Sequence, residues 1–87
     1  MAKSGKSSFE WEIIEKVKAV RLQKGLSQFD IASILGTSSS FIGQVEVMNH
    51  SSKYNLDHLN KLAYEWKCSP KDFIPQDAMP EEGWEAF

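Results

Sequence analysis

The chain has 87 residues, enough for one small domain with a single hydrophobic core. It carries 12 Asp/Glu against 10 Lys/Arg, a formal net charge of −2, and this argues mildly against a polyanionic partner. The lone Cys68 excludes an intramolecular disulfide, and no apolar run approaches the roughly eighteen residues of a membrane span.

Charge is distributed unevenly. Residues 1–53 hold seven Lys/Arg and five Asp/Glu, whereas residues 54–87 hold three and seven. Residues 1–8 read as a flexible arm. Within it Gly5-Lys6-Ser7 matches the end of a phosphate-binding loop, but the upstream glycine and the preceding strand are missing. Ser7 and Glu10 have the spacing of a capping box, which predicts a first helix with Ile13, Ile14, Val17 and Val20 facing inward.

The next two helices are the most clearly marked. Ser27 caps the second, with Asp30 three residues on, and Ile31, Ala32 and Leu35 fall on one face. Gly36 stands where a left-handed helix terminus is wanted, since it has no Cβ to clash. Ser38 is the expected N-cap of a third helix, which turns Ile42 and Val45 inward. Ala32 lets the two helices cross closely. With a connection of about three residues, this pattern suits a helix-turn-helix better than an ordinary helical hairpin.

At about 100° per residue, Ser40, Gly43, Gln44 and Val47 share the outer side of the third helix. Ser39 lies at its start, where side chains reach furthest into a major groove. Glutamine can donate to and accept from adenine, and serine pairs with several bases, so Ser39, Ser40 and Gln44 are the candidate base contacts. Gln28, beside the backbone N–H groups that open the second helix, suits a phosphate oxygen. Gly43 costs about 1 kcal/mol against alanine inside a helix. Either DNA or a neighbouring backbone comes close there, or the glycine is simply tolerated.

Asn55 caps a fourth helix with Leu56, Leu59, Leu62, Ala63 and Trp66 on one face. Ser69-Pro70-Lys71-Asp72 has the cap, N1 proline and acidic third position of a short fifth helix. Pro75 and Pro80 end regular structure, and residues 76–87 form an acidic tail in which Met79, Trp84 and Phe87 are apolar. That tail can pack on its own domain, on a second copy or on another protein. Phe29 and Ile34 are similarly open between packing on Phe9 and Trp11 and meeting another chain.

Arg21 through Ala63 resembles the lambdoid repressor and Cro class of DNA-binding domain, the Xre (Cro/C1-type) family. The matching positions are Arg21, Gly25-Leu26-Ser27-Gln28, Ile31-Ala32, Leu35-Gly36-Thr37-Ser38, Ile42, Val45-Glu46, Leu56, Leu59 and Leu62-Ala63. The resemblance implies an all-α, compact five-helix domain over residues 9–75 that binds operator DNA as a symmetric homodimer. It implies that Gln28 meets backbone phosphate and that Ser39, Ser40 and Gln44 face the bases. It also implies a structural ion pair between Arg21 and Glu46, and dimer contacts through Phe73 and Ile74 of the fifth helix, with domain core as the alternative place for Phe73.

Two features depart from that pattern. The chain runs on from Glu46 as Val47-Met48-Asn49-His50-Ser51-Ser52-Lys53, and residues 39–47 contain no Lys or Arg. Phosphate neutralisation supplies much of the affinity for DNA, so the cations must come from Lys24, Lys53, or Lys3 and Lys6 of the arm. Ser38, Phe41 and Asn49 complete the expected backbone-contacting set with Gln28, Lys24 and Lys53.

No enzyme is expected. His50 and His58 have no partner at metal-ligand spacing and are expected to be solvated, and Cys68 lacks a base and suits a partly buried spacer. No metal or other cofactor is implied. The expectation is a cytoplasmic, sequence-specific transcription regulator, a repressor that occupies double-stranded DNA. Its alternative is a protein-interaction module or antitoxin-type partner, with a toxin as one class of partner, that keeps the fold with weak DNA binding.

Overall fold

In the computed structural model, residues 5–81 and 84 are described. Among them the chain is all-helical, with α1 (Ser8–Gln23), α2 (Gln28–Leu35), α3 (Ser39–Val45), α4 (Leu56–Trp66) and a 3-10 turn at Pro70–Phe73, and no strand. No helix among these residues is long and apolar enough to cross a membrane.

Each helix begins where a side chain can satisfy its unpaired N–H groups. Ser7 accepts from the Glu10 N–H at 3.0 Å and Glu10 accepts from the Ser7 N–H at 2.9 Å. Ser27 and Asp30 do the same for α2, at 3.1 and 2.7 Å. Those bonds to Ser27 favour the ionised Asp30 carboxylate and hold it below its ordinary range. Gly36 ends α2 with φ of 69°, and the Thr37 N–H reaches back to the Ala32 carbonyl at 3.0 Å. Only a residue without a Cβ takes that backbone cheaply.

The core gathers one face of every element: Ile14 and Val17 of α1, Ile31 and Ala32 of α2, Ile42 and Val45 of α3, Leu59, Leu62 and Ala63 of α4, and Phe73. Ile13 and Val20 pack at its margin. Full burial of such aliphatic and aromatic side chains contributes about 1.5–3 kcal/mol each. α2 packs on both α3 and α4, and the 3-10 turn packs on α1 and α4. Trp66 meets Phe73 edge to face at 6.0 Å.

Two expectations are corrected here. The segment after Ser69 is one 3-10 turn rather than a fifth α-helix. Its cap is present, with the Lys71 N–H on Ser69 and the Ser69 N–H on Asp72, both at 3.2 Å. Ile74 precedes Pro75, however, and is extended at φ −99° and ψ 132°, because a following proline clashes with α backbone. Leu56, assigned to the inner face of α4, is instead 79% exposed. It is the first residue of the helix, where the face overhangs the edge of the core.

Candidate functional site

α2 and α3 are joined by residues 36–38, so the direction of α3 follows from the left-handed turn at Gly36 and the cap at Ser38. Ser38 Oγ accepts from the Phe41 N–H at 3.1 Å. Ile42 and Val45 are wholly buried, which fixes the rotation of α3 about its axis. Ser39, Ser40 and Gln44 consequently stand exposed together with Ser38. Phe41 is half-buried, with its ring 5.8 Å from that of His58.

The other end of α3 is tied to its neighbours. Arg21 of α1 grips Glu46 with both ends of its guanidinium fork, Nε to Oε2 at 3.0 Å and Nη2 to Oε1 at 2.9 Å. Its third nitrogen, Nη1, donates to the Leu26 carbonyl at 3.0 Å, just ahead of α2. Gln28 Nε2 adds a bond to Glu46 Oε1 at 3.0 Å. One carboxylate thus joins α1, the start of α2 and the end of α3. The buried ring of Tyr54 belongs to the same region: burial and the Glu46 charge push its hydroxyl above the ordinary tyrosine range, with Arg21 partly offsetting. The Tyr54 hydroxyl has no hydrogen-bond partner among the described residues.

Gln28, expected on phosphate, is therefore half-buried and engaged inside the domain. It also accounts for the surroundings of Gly43. A Cβ there would meet Gln28 Oε1 at 3.5 Å, an ordinary contact. It is a side chain, and not a backbone, that passes Gly43.

The cations expected at phosphate differ in their surroundings. Lys6 is 4% exposed, and its ammonium donates to the carbonyl oxygens of Gln44, Val47 and His50. Burial, and then the nearby Lys53 charge, push it below the ordinary lysine value, with Glu10 opposing. It therefore offers nothing to phosphate. Lys53 pairs with Glu10 at 2.6 Å while remaining partly open to solvent. Burial raises the Glu10 carboxyl, but bonds from Lys53 and Ser7 outweigh this and leave it below its ordinary range. Lys24 is exposed, with Nζ 6.0 Å from the centre of the Trp66 ring. Asn49 is exposed in the loop after α3, and Lys3 lies outside the described residues.

Phe73, expected at a dimer contact, is wholly buried in the chain's own core and has no surface to offer a second copy. Ile74 is half-buried at the core margin. The histidines are not simply solvated. His50 Nδ1 accepts from the Ser52 N–H at 3.0 Å, and His58 Nδ1 accepts from the Asn55 N–H at 3.1 Å, closing the cap of α4. Burial lowers the His58 pKa, with Asp57 opposing. Phe29 is exposed, whereas Ile34 packs against the core.

Several residues that matter here carry no local signal in the sequence. Ser52 Oγ lies 3.4 Å from Gln44 Oε1, close enough to orient that amide. Glu81 of the acidic tail accepts from the Ser8 and Phe9 N–H groups at 2.9 and 3.0 Å, so it completes the cap of α1 from more than seventy residues away. Phe9, Met79, Glu81 and Trp84 line one cleft there; Phe87 lies outside the described residues. Cys68 is a half-buried free thiol at the core margin. No group of His, Cys, Asp or Glu among the described residues has the arrangement to hold a metal ion. Neither a family model nor a curated protein matches the chain.

Proposed function

We propose that this chain is a sequence-specific DNA-binding regulator of the lambdoid repressor and Cro type, acting as a repressor by occupying operator DNA. The observation that carries this is the division of α3, with Ser39, Ser40 and Gln44 exposed along one side and Ile42 and Val45 locked in the core on the other. In this reading α2 and α3 form a helix-turn-helix and α3 enters the major groove. Gln44 then bonds a base edge, and Ser38, Ser39, Ser40 and Asn49 line the groove and its rim. Lys24 and the exposed part of Lys53 supply cationic contacts to phosphate. A two-fold dimer would place two such helices about 34 Å apart, with contacts that do not involve Phe73.

A second reading has specific support. Lys6 is buried, Lys53 is paired, and residues 39–47 hold no cation. A module of the same fold that binds a protein, such as a toxin, needs no phosphate neutralisation.

Selection of duplexes from a random pool separates the two. Enrichment of a defined site is expected, and Gln44→Ala should relax preference at one base pair per half-site, costing about 1–3 kcal/mol there. Failure of the wild-type chain to enrich any sequence would overturn the DNA-reading assignment in favour of the protein-binding module.

A further inference from the structure

We infer that Lys6 is a positioning residue for α3, so that residues 5 and 6 belong structurally to the proposed reading unit rather than to a loose arm. This rests on the DNA-reading proposal for its functional consequence, but its structural half stands on the geometry alone.

The last carbonyls of a helix have no partner within it and carry its negative dipole end. At the end of α3 a cation from residue 6 meets one helix carbonyl, that of Gln44, which also accepts from the Val47 N–H at 3.1 Å, and two carbonyls of the turn that follows, those of Val47 and His50. The three acceptors span the end of α3 and the turn that follows it, so one ammonium fixes the height of both. Gly5 reinforces the contact. A Cβ on Gly5 would fall 2.2 Å from the Met48 carbonyl oxygen and 3.0 Å from the Asn49 Cα, so the two backbones touch directly. The adjacent ion pair between Glu10 and Lys53 holds the same loop further along. Gln44 is thereby restrained twice, through its own carbonyl by Lys6 and through its side-chain amide by Ser52. A side chain that reads a base edge needs this kind of support, because small displacements spoil hydrogen-bond geometry.

The test uses the full chain, free and with DNA. In Lys6→Met, which keeps the aliphatic stem but removes the donor, amide hydrogen exchange at residues 46–52 should accelerate at least tenfold. Amides inside α1 and α4 should keep their protection. Affinity for the selected duplex should fall at least tenfold, while affinity for an unrelated duplex of the same length changes less than twofold. Gly5→Ala retains the ammonium and should loosen the same amides, which keeps the inference open to test if Lys6→Met fails to fold. Unchanged exchange at residues 46–52 in a folded Lys6→Met would overturn it, and, should that variant not fold, so would unchanged exchange in Gly5→Ala. So would an equal loss of affinity for both duplexes with a salt slope reduced by about one, the signature of a direct phosphate contact. If the wild-type chain selects no duplex, the DNA-reading proposal fails separately, and the exchange measurement still decides whether Lys6 positions α3.

Discussion

The two ends of α3 are built on different plans. At its start, Ser38 caps the helix with its own side chain, and Ser39 and Ser40 beside it are exposed. At its finish, Arg21, Gln28 and Lys6 converge from three other parts of the chain on Glu46 and on the closing carbonyls. An element anchored at one end and open at the other can present side chains to a partner without giving up its orientation. The Gly36 turn and the Ser38 cap set direction at the start, the anchored finish holds the helix in place, and Ser39 and Ser40 at the open end, with Gln44 nearer the anchored one, are left for contact.

The largest expected effect comes from breaking the anchored end. Glu46→Ala removes the acceptor for Arg21 and Gln28 together and leaves a buried guanidinium without its counter-charge. Loss of one partner from a buried pair costs about 3–5 kcal/mol, a large share of a small domain's stability. Urea unfolding of wild type and variant measures this. A loss below about 1 kcal/mol would mean the pair behaves as a surface bridge, and the contrast between the ends would collapse.

A smaller change tests the open end. Ser38→Ala removes the acceptor of the Phe41 N–H, and loss of such a cap costs about 0.5–2 kcal/mol. Because the first turn of α3 has no other side-chain cap among the described residues, this loss should appear as faster amide exchange at residues 39–41 with residues 46–52 unaffected. Equal loosening of both segments would show that the ends are not independent.

The same division explains what could be read from the chain beforehand. Ser7 with Glu10, Ser27 with Asp30, Gly36, Ser38 and Asn55 act on residues next to them, so their spacing states their role. The inner faces of α1 to α3 follow from helical periodicity. Arg21 and Glu46 are twenty-five residues apart and read alone as two separate charges; their pairing was suggested only through the family resemblance. Lys6 and Glu81 reach partners 38 to 73 residues away, and no local pattern marks either. The stop that prevents a fifth helix is itself in the sequence, at Pro75, but the cap residues Ser69 and Asp72 carry the opposite local signal. Phe73 in that segment suits either a dimer contact or the core, and in the shorter turn it is buried in the core.

The smallest effect expected belongs to His58, whose ring neighbours Phe41 near the open end of α3. His58 Nδ1 accepts the Asn55 N–H in the cap of α4, while the Asn55 side chain accepts from the His58 N–H at 2.7 Å. Burial of the ring disfavours the cation and outweighs the opposing Asp57 charge, so the folded-state pKa lies below the ordinary value near 6.5, and a proton on Nδ1 would remove the acceptor of the Asn55 N–H. The unfolded chain therefore takes up the proton first as pH falls. His58 contributes its full stability above about pH 6.5, and the contribution declines as pH drops from there through the lower folded-state pKa. His58→Gln keeps a side-chain acceptor at the third helical position without a titrating group. Subtracting its unfolding free energy from that of wild type between pH 8 and pH 5 cancels the carboxylates common to both. The difference should move against wild type as pH falls, and the amides of the first turn of α4 should lose protection over the same interval in wild type alone. A difference that stays flat across the whole range would show that the ring is solvated well enough to take its proton without leaving the cap.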